Sequence, residues 1–206
     1  MLFMSTLFIA PHADDEILGC GATISKLKRN EEDIHLIICS QRKQDLVIYQ
    51  EVYDQFTSYN LLPFEDEKLN SYYLLKSIEK IYNKLKPKTI YIPNKDDFNL
   101  DHKEVYKACE VVLRRFQKHQ PMKILMYETP SSTTQSFNNN FKCNYYEEID
   151  EIDLKYKVNT FKKYKNELRQ YPNPRSTEGI LTYAKFRGME CNSLYAEGFN
   201  LIYQKS

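Results

Sequence analysis

Short apolar runs alternate with longer amphipathic stretches along the first two thirds of the chain. The apolar runs have the length of buried strands and are bounded by polar residues or proline. The predicted strands are residues 5–10, 33–40, 89–93 and 123–128. Apolar side chains recur at helical spacing between them, and this pattern predicts helices over residues 15–29, 45–59 and 72–85 and a helix that ends near residue 118. The pattern over residues 62–69 predicts an irregular segment or a short strand. The helix that ends near residue 118 can be capped by Asp97 or Asp101.

The pattern changes after residue 128. Residues 129–144 are rich in Ser, Thr and Asn and predict a long loop over one end of the sheet. Beyond the loop, we expect a strand at 145–149, helices at 154–168 and 177–186, and an edge strand at 199–203.

The alternation of strands and helices predicts an α/β fold. We expect a Rossmann-like, mostly parallel sheet with helices on both faces and right-handed crossovers. The chain has 206 residues, without internal repeats or a linker, so we predict a single domain over residues 1–206. Gly19 and Gly21 lack the third glycine of a dinucleotide-binding fingerprint.

Composition narrows the choice of partners and compartment. The net charge is +1, which gives no general attraction to nucleic acid or to an acidic membrane. The five cysteines are scattered and odd in number, as is typical of a reducing compartment. The first ten residues lack the charged region of a signal peptide. We therefore predict a cytoplasmic protein that binds neither nucleic acid nor membrane.

Charged residues collect where the first predicted strand ends. His12 is followed by Asp14, Asp15 and Glu16, at the start of a predicted helix. Carboxylates in a first helical turn are stabilised by the helix dipole, so the acidic residues alone are explained by helix capping. A helix cap requires no histidine, however.

A second histidine lies at an equivalent position. His102 follows the polar loop after the strand at 89–93, and parallel strands bring their carboxyl ends to one edge of a sheet. His12, Asp15 and His102 could therefore meet, and three such side chains with an open fourth position form a hydrolytic zinc site. His35, within an apolar strand, and His119, at a helix end, have structural explanations.

Several segments resemble those of a known family. The sequence PHADDE at residues 11–16, with LGCGA at 18–22, resembles the opening motif of the PIG-L or LmbE-like zinc N-deacetylases, which is usually PHPDDE. NLDH at residues 99–102 resembles the second motif of that family. Residues 128–131, 173–176 and 195–199 resemble later segments of bacterial members, so the likeness covers essentially the whole chain.

The resemblance implies an active site. It implies that His12, Asp15 and His102 are zinc ligands and that Asp14 is the general base. In such a site a metal-bound water attacks an amide carbonyl while a carboxylate removes its proton. The implied products are acetate and a free amine.

Two positions depart from the family pattern. Ala13 replaces the usual proline of the first motif, and Asn99 replaces a histidine that is expected to assist the transition state. Asn99 can donate a hydrogen bond but cannot supply a proton, so as a catalytic candidate it leaves the acid role unassigned. Asp97 is a candidate outer partner for a ligating histidine, with a loop or cap role as the alternative.

Two charged residues are candidates for substrate binding. Arg175 lies in a Pro-rich turn, where it could hold a phosphate or carboxylate, or simply belong to a surface turn. Glu197 faces the site by resemblance, with a structural salt bridge to a residue such as Arg175 as the alternative.

The resulting hypothesis is a zinc-dependent N-deacetylase of an N-acetylated sugar, such as an N-acetylglucosamine conjugate or a glycan precursor. Another divalent metal such as Fe2+ suits the same ligands. The expected partner is a small-molecule amino sugar, and a homo-oligomer is compatible with the sequence. The alternatives are a zinc amidohydrolase for a different acyl amide, and a degenerate member that binds metal or carbohydrate without turnover.

Overall fold

The computed structural model describes residues 5–41, 50–137 and 141–205. The strands are β1 (Ser5–Ala10), β2 (Asp33–Gln41), β3 (Ser58–Glu65), β4 (Thr89–Pro93), β5 (Lys123–Tyr127), β6 (Tyr145–Glu148) and β7 (Ala196–Gln204). The helices are α1 (Asp15–Arg29), α2 (Gln50–Tyr53), α3 (Ser71–Leu85), α4 (Leu100–Val112), α5 (Glu151–Phe161) and α6 (Thr177–Cys191), with a 3-10 turn at Thr133–Gln135.

These strands form one mostly parallel sheet in the order β3-β2-β1-β4-β5-β7-β6. Strands β1 to β5 run parallel, whereas β7 is antiparallel to both of its neighbours. The order reverses between β1 and β4, and a crevice at such a point is where ligands bind in open α/β sheets. The predicted fold class is confirmed.

Helices cover both faces of the sheet. Phe8 and Ala10 of β1 belong to an apolar cluster shared with α1, α5 and α6. Leu7 and Ile9 belong to a second cluster shared with α3 and α4. Successive side chains of β1 therefore enter opposite cores, which explains why its sequence is apolar throughout instead of alternating.

The predicted helix over residues 45–59 is wrong at its end. Residues 42–49 lie outside the described part of the chain, and α2 covers only Gln50–Tyr53. Residues 58–65 instead form β3, which pairs with β2. Pairing with a neighbouring strand decided this segment, because its apolar residues are compatible with either period.

The last part of the chain also differs from expectation. Strand β7 lies between β5 and β6, so the edge strand is β6 and the expected edge position of residues 199–203 is wrong. Helix α4 ends at Val112 instead of near residue 118, and α5 covers Glu151–Phe161 instead of 154–168. None of the described helices has both the length and the apolar character needed to cross a bilayer.

Candidate metal centre

Two loops meet at the carboxyl ends of β1 and β4. β1 ends at Ala10 and α1 begins at Asp15, while β4 ends at Pro93 and α4 begins at Leu100. Because these strands are parallel neighbours, the loops share one edge of the sheet. The rings of His12 and His102 lie 5.3 Å apart, centroid to centroid.

Asp15 lies between the two histidines. Its Oδ2 is 3.2 Å from His12 Nδ1 and 3.1 Å from His102 Nε2. All three side chains are buried, and they form a group that could hold a metal ion. The structure thus brings together the three predicted ligands.

The chemistry of these donors fits a divalent metal. Ligand atoms of a tetrahedral zinc ion lie about 3.4 Å apart, slightly farther than the contacts of Asp15 with the two histidines. Asp15 Oδ1 is buried and has no hydrogen-bond partner within the described residues. An unpaired buried carboxylate oxygen beside two imidazole nitrogens is a donor set suited to zinc or ferrous iron.

The second ring nitrogen of His102 has a carboxylate partner. His102 Nδ1 lies 3.2 Å from Asp97 Oδ2. Asp97 Oδ2 also accepts hydrogen bonds from Ser132 Oγ (2.9 Å) and Thr133 Oγ1 (2.8 Å). Asp97 thus lies where a carboxylate would orient a ligating imidazole.

The second ring nitrogen of His12 has two carboxylate neighbours that sequence reasoning missed. His12 Nε2 lies 3.0 Å from Asp101 Oδ2 and 2.9 Å from Asp66 Oδ1. Asp101 also accepts hydrogen bonds from the backbone N–H groups of Glu67 and Leu69. The adjacency of Asp101 to His102 was a signal for this role, but no local pattern connects residue 66 with residue 12.

Carboxylates raise the pKa of both histidines. Burial lowers the pKa of His12, but its hydrogen bonds with Asp101 and Asp15 outweigh burial and raise it well above 6.5. Burial also lowers the pKa of His102, but Asp15 and Asp97 raise it to about 9. Metal binding must therefore displace protons, because only the deprotonated ring nitrogen coordinates a metal.

The carboxylate of Asp14 is turned away from the helix that it precedes. Asp14 occupies the N-cap position of α1 but makes no side-chain capping hydrogen bond, so the capping interpretation is wrong for this residue. Its Oδ2 lies 3.3 Å from Arg175 Nη1 and accepts no hydrogen bond within the described residues. Burial and the charge of Asp15 raise the pKa of Asp14 well above 3.8, although Arg175 opposes the shift.

Arg175 lies beside Asp14, the candidate general base. Its guanidinium contacts Asp14, pairs with Glu167 and donates from Nε to Ser131 Oγ at 2.9 Å. The side chain is 19% exposed, so it lies at the margin of the site. These contacts connect the Arg175 side chain with the site, and its role in substrate binding stays a prediction.

Asn99 has a structural contact. Its Oδ1 accepts a hydrogen bond from the Asp101 N–H at 2.9 Å and caps α4, a role that the sequence assigned to Asp97 or Asp101. Asp97 instead accepts the Asn99 N–H. The side-chain oxygen of Asn99 is thus occupied, and a catalytic role for Asn99 stays a prediction.

Glu197 forms a buried salt bridge with Lys157, and not with Arg175, the example named for the structural alternative. Its carboxylate accepts hydrogen bonds from Ala22 N (3.1 Å), Thr23 N (2.7 Å) and Lys157 Nζ (2.6 Å). Because β7 lies inside the sheet, residue 197 faces the middle of α1. Both oxygens of Glu197 are therefore occupied by protein donors, which favours the alternative of a structural salt bridge, with Lys157 as the partner; a contact with substrate stays a prediction.

Comparison with known proteins gives the family. Residues 7–113 match the model of PIG-L, GlcNAc-PI de-N-acetylase. The match covers just over half of the chain and includes the three candidate ligands and Asp14, so this chain belongs to the PIG-L family. No curated protein sequence gives a significant match.

Solved structures share the whole fold at low identity. A conserved protein from Thermus thermophilus is 16% identical, with a TM-score of 0.81, over 99% of this chain and 97% of that chain. The N,N'-diacetylchitobiose deacetylase from Pyrococcus horikoshii is 19% identical, with a TM-score of 0.74, over 96% and 83%. GalB, the 4-carboxy-2-hydroxymuconate hydratase from Pseudomonas putida, is 14% identical, with a TM-score of 0.73, over 99% and 98%. The fold thus occurs in enzymes with different reactions, and the site must decide the chemistry.

Proposed function

We propose that this protein is a zinc-dependent hydrolase that removes the N-acetyl group from an N-acetylated amino sugar. The observation that carries the proposal is the position of Asp14. This buried carboxylate precedes Asp15 of the donor set, does not cap its helix, and has an oxygen without a hydrogen bond among the described residues. A site that only bound metal would need no such group.

The roles follow from the contacts. His12, Asp15 and His102 would hold the metal, which when bound supplies a water of lowered pKa and a Lewis acid for the amide carbonyl. Asp14 takes a proton from the attacking water and returns it to the leaving nitrogen, so that the amide and water yield acetate and an amine. A raised pKa suits Asp14 to both steps, because the carboxyl must accept and then release a proton. Arg175 orients the Asp14 carboxylate and presents its exposed edge to polar groups of the substrate.

The amino-sugar substrate is supported by the family. The matching model is that of an N-acetylglucosamine-phosphatidylinositol de-N-acetylase, and a chitobiose deacetylase has the same fold. An N-acetylglucosamine unit is the part that these two substrates share. We therefore assign the N-acetylated sugar, without a defined aglycone, as the substrate class.

Acetate release from metal-free protein reloaded with zinc or ferrous iron tests the proposal. The substrates are N-acetylglucosamine, N,N'-diacetylchitobiose and, as a non-sugar amide, N-acetyl-lysine. We expect release from at least one sugar, retention of metal but loss of most turnover in Asp14→Asn, and wild-type rates in the exposed control Asp54→Asn. Release only from the non-sugar amide would overturn the substrate class. Metal binding without release from any of the three, or normal turnover in Asp14→Asn, would overturn the proposed reaction.

A further inference from the structure

The backbone of Asp14 has an unusual conformation. Its φ is 119° and its ψ is −30°, in a region that residues with side chains rarely adopt. An ordinary N-cap residue is extended, and its side chain turns back onto the first-turn N–H groups. The conformation of Asp14 instead leaves its carboxylate off the helix. Such a conformation persists only where surrounding contacts impose it.

Glu16 supplies one of those contacts. Its Oε2 accepts a hydrogen bond from the Asp14 N–H at 3.0 Å. Two residues further along the chain, Glu16 thus provides an acceptor for the N–H that the turned backbone of Asp14 presents. Asp14 and Glu16 are both buried, with 1% and 0% exposure, so solvent is not an alternative partner for this N–H.

Tyr164 fixes Glu16 from a distant part of the chain. Tyr164 Oη donates a hydrogen bond to Glu16 Oε1 at 2.5 Å, across a sequence separation of 148 residues. Tyr164 lies just beyond α5 and is completely buried. The two oxygens of Glu16 are therefore divided, one for the tyrosine hydroxyl and one for the Asp14 backbone.

We propose that Tyr164 and Glu16 are positioning residues for the proposed base, Asp14. Tyr164 holds the Glu16 carboxylate, Glu16 holds the Asp14 N–H, and the resulting backbone conformation directs the Asp14 carboxylate towards Arg175. This inference rests on the proposed function for its catalytic consequence, but its structural part is independent of the substrate. The hydrogen bonds of the Glu16 carboxylate go to Tyr164 and to the Asp14 N–H, and not to the candidate ligand side chains of His12, Asp15 or His102, so loss of the Tyr164 hydroxyl should leave metal affinity unchanged.

The test compares Tyr164→Phe with Tyr82→Phe. Tyr82 is an equally buried tyrosine whose hydroxyl donates to the His119 carbonyl at 2.8 Å, in the other apolar cluster. Each variant loses one hydroxyl together with the hydrogen bond described for it, to Glu16 or to the His119 carbonyl. For Tyr164→Phe we expect unchanged zinc affinity, unchanged KM and a kcat lower by about 10- to 100-fold, the size of effect that a small misplacement causes. For Tyr82→Phe we expect unchanged kinetics.

Hydrogen exchange of the Asp14 amide gives a measurement that needs no substrate. We expect the exchange to be at least about tenfold faster in Tyr164→Phe than in wild type, and unchanged in Tyr82→Phe. Glu16→Gln, which keeps the volume and one acceptor oxygen, should show the same changes to a smaller degree if Tyr164→Phe fails to fold. If the exchange rate of the Asp14 amide were unchanged in the folded variant, the positioning role would be overturned, whether or not the wild type releases acetate. Wild-type kcat in that variant would overturn its catalytic consequence.

Discussion

Two buried groups of charged residues flank α1, and they differ in how completely they are paired. In the candidate metal centre, Asp14 Oδ2 and Asp15 Oδ1 are buried without hydrogen-bond partners among the described residues. Beside the middle of α1, both oxygens of Glu197 accept hydrogen bonds, from Lys157 and from two backbone N–H groups of α1. The carboxylates are buried in both places. Buried carboxylate oxygens without a hydrogen bond in the part of the chain that the structure describes therefore distinguish the candidate metal centre from the fully hydrogen-bonded carboxylate of Glu197.

Removing one of the candidate ligands should have the largest effect, on zinc binding. His12→Ala takes one of three donors away, so we expect loss of stoichiometric zinc, a larger effect than the roughly 100-fold that loss of an outer partner causes. The measurement is metal content together with chelator competition. His35→Ala is the matched control, because His35 lies outside the site and is hydrogen-bonded to Ser58. Full zinc retention in His12→Ala would contradict the assigned ligand set.

Breaking the paired group should change stability and leave metal binding intact. Lys157→Met leaves the Glu197 carboxylate buried without its cation, which typically costs about 3–5 kcal/mol in free energy of unfolding. The control is Lys155→Met on the same helix, because the pair of Lys155 with Glu151 is exposed and its loss should change stability much less. Urea unfolding of the metal-free proteins measures both. Equal losses in the two variants would show that Glu197 does not need Lys157.

The outer carboxylates should have intermediate effects. Asp97→Asn and Asp101→Asn each remove the charge beside the second nitrogen of a candidate ligand. We expect zinc affinity to fall by about 10- to 100-fold in each, because such partners set the orientation and basicity of the imidazole. Chelator competition measures the change, with Asp54→Asn as the exposed control. An unchanged zinc affinity would show that these carboxylates only stabilise the local structure around them.

His35, which lies outside the site, should have the smallest effect on stability. Its pKa is shifted downwards, whereas the pKa values of His12 and His102 are raised. Burial lowers the pKa of His35 below 6.5. His35 therefore costs no stability above about pH 6.5, and stability is lost as the pH falls from there through its lowered pKa. In His35→Gln we expect the free energy of unfolding to fall less than in wild type between about pH 7 and pH 5. Parallel pH profiles of the two proteins would contradict the lowered pKa.

Part of the site could be predicted because it depends on local sequence and sheet order. His12 and Asp15 follow one apolar run and His102 follows another, so parallel pairing of adjacent strands is enough to bring them together. Asp97 could be proposed as an outer partner from its place in the same loop. The contact of His12 with Asp101, across a sequence separation of 89 residues, required the orientation of the first turn of α4. A structural salt bridge of Glu197 was among the alternatives, but its partner Lys157 could not be predicted, because the contact depends on the insertion of β7 between β5 and β6.

The sequence by itself determined the alternation of strands and helices, the loops that carry the histidines, and the types of side chain available for metal binding. These features depend on hydrophobic period and on residues close together in the chain. The family resemblance implied that Asp15 is a ligand and Asp14 the base, but only the tertiary structure decided the partners of the three carboxylates. Asp15 lies between the histidines, Asp14 faces Arg175, and Glu16 accepts a hydrogen bond from Tyr164. The physical reason is that three adjacent carboxylates are chemically almost equivalent, and they acquire different roles only from the donors that distant segments place beside each of them.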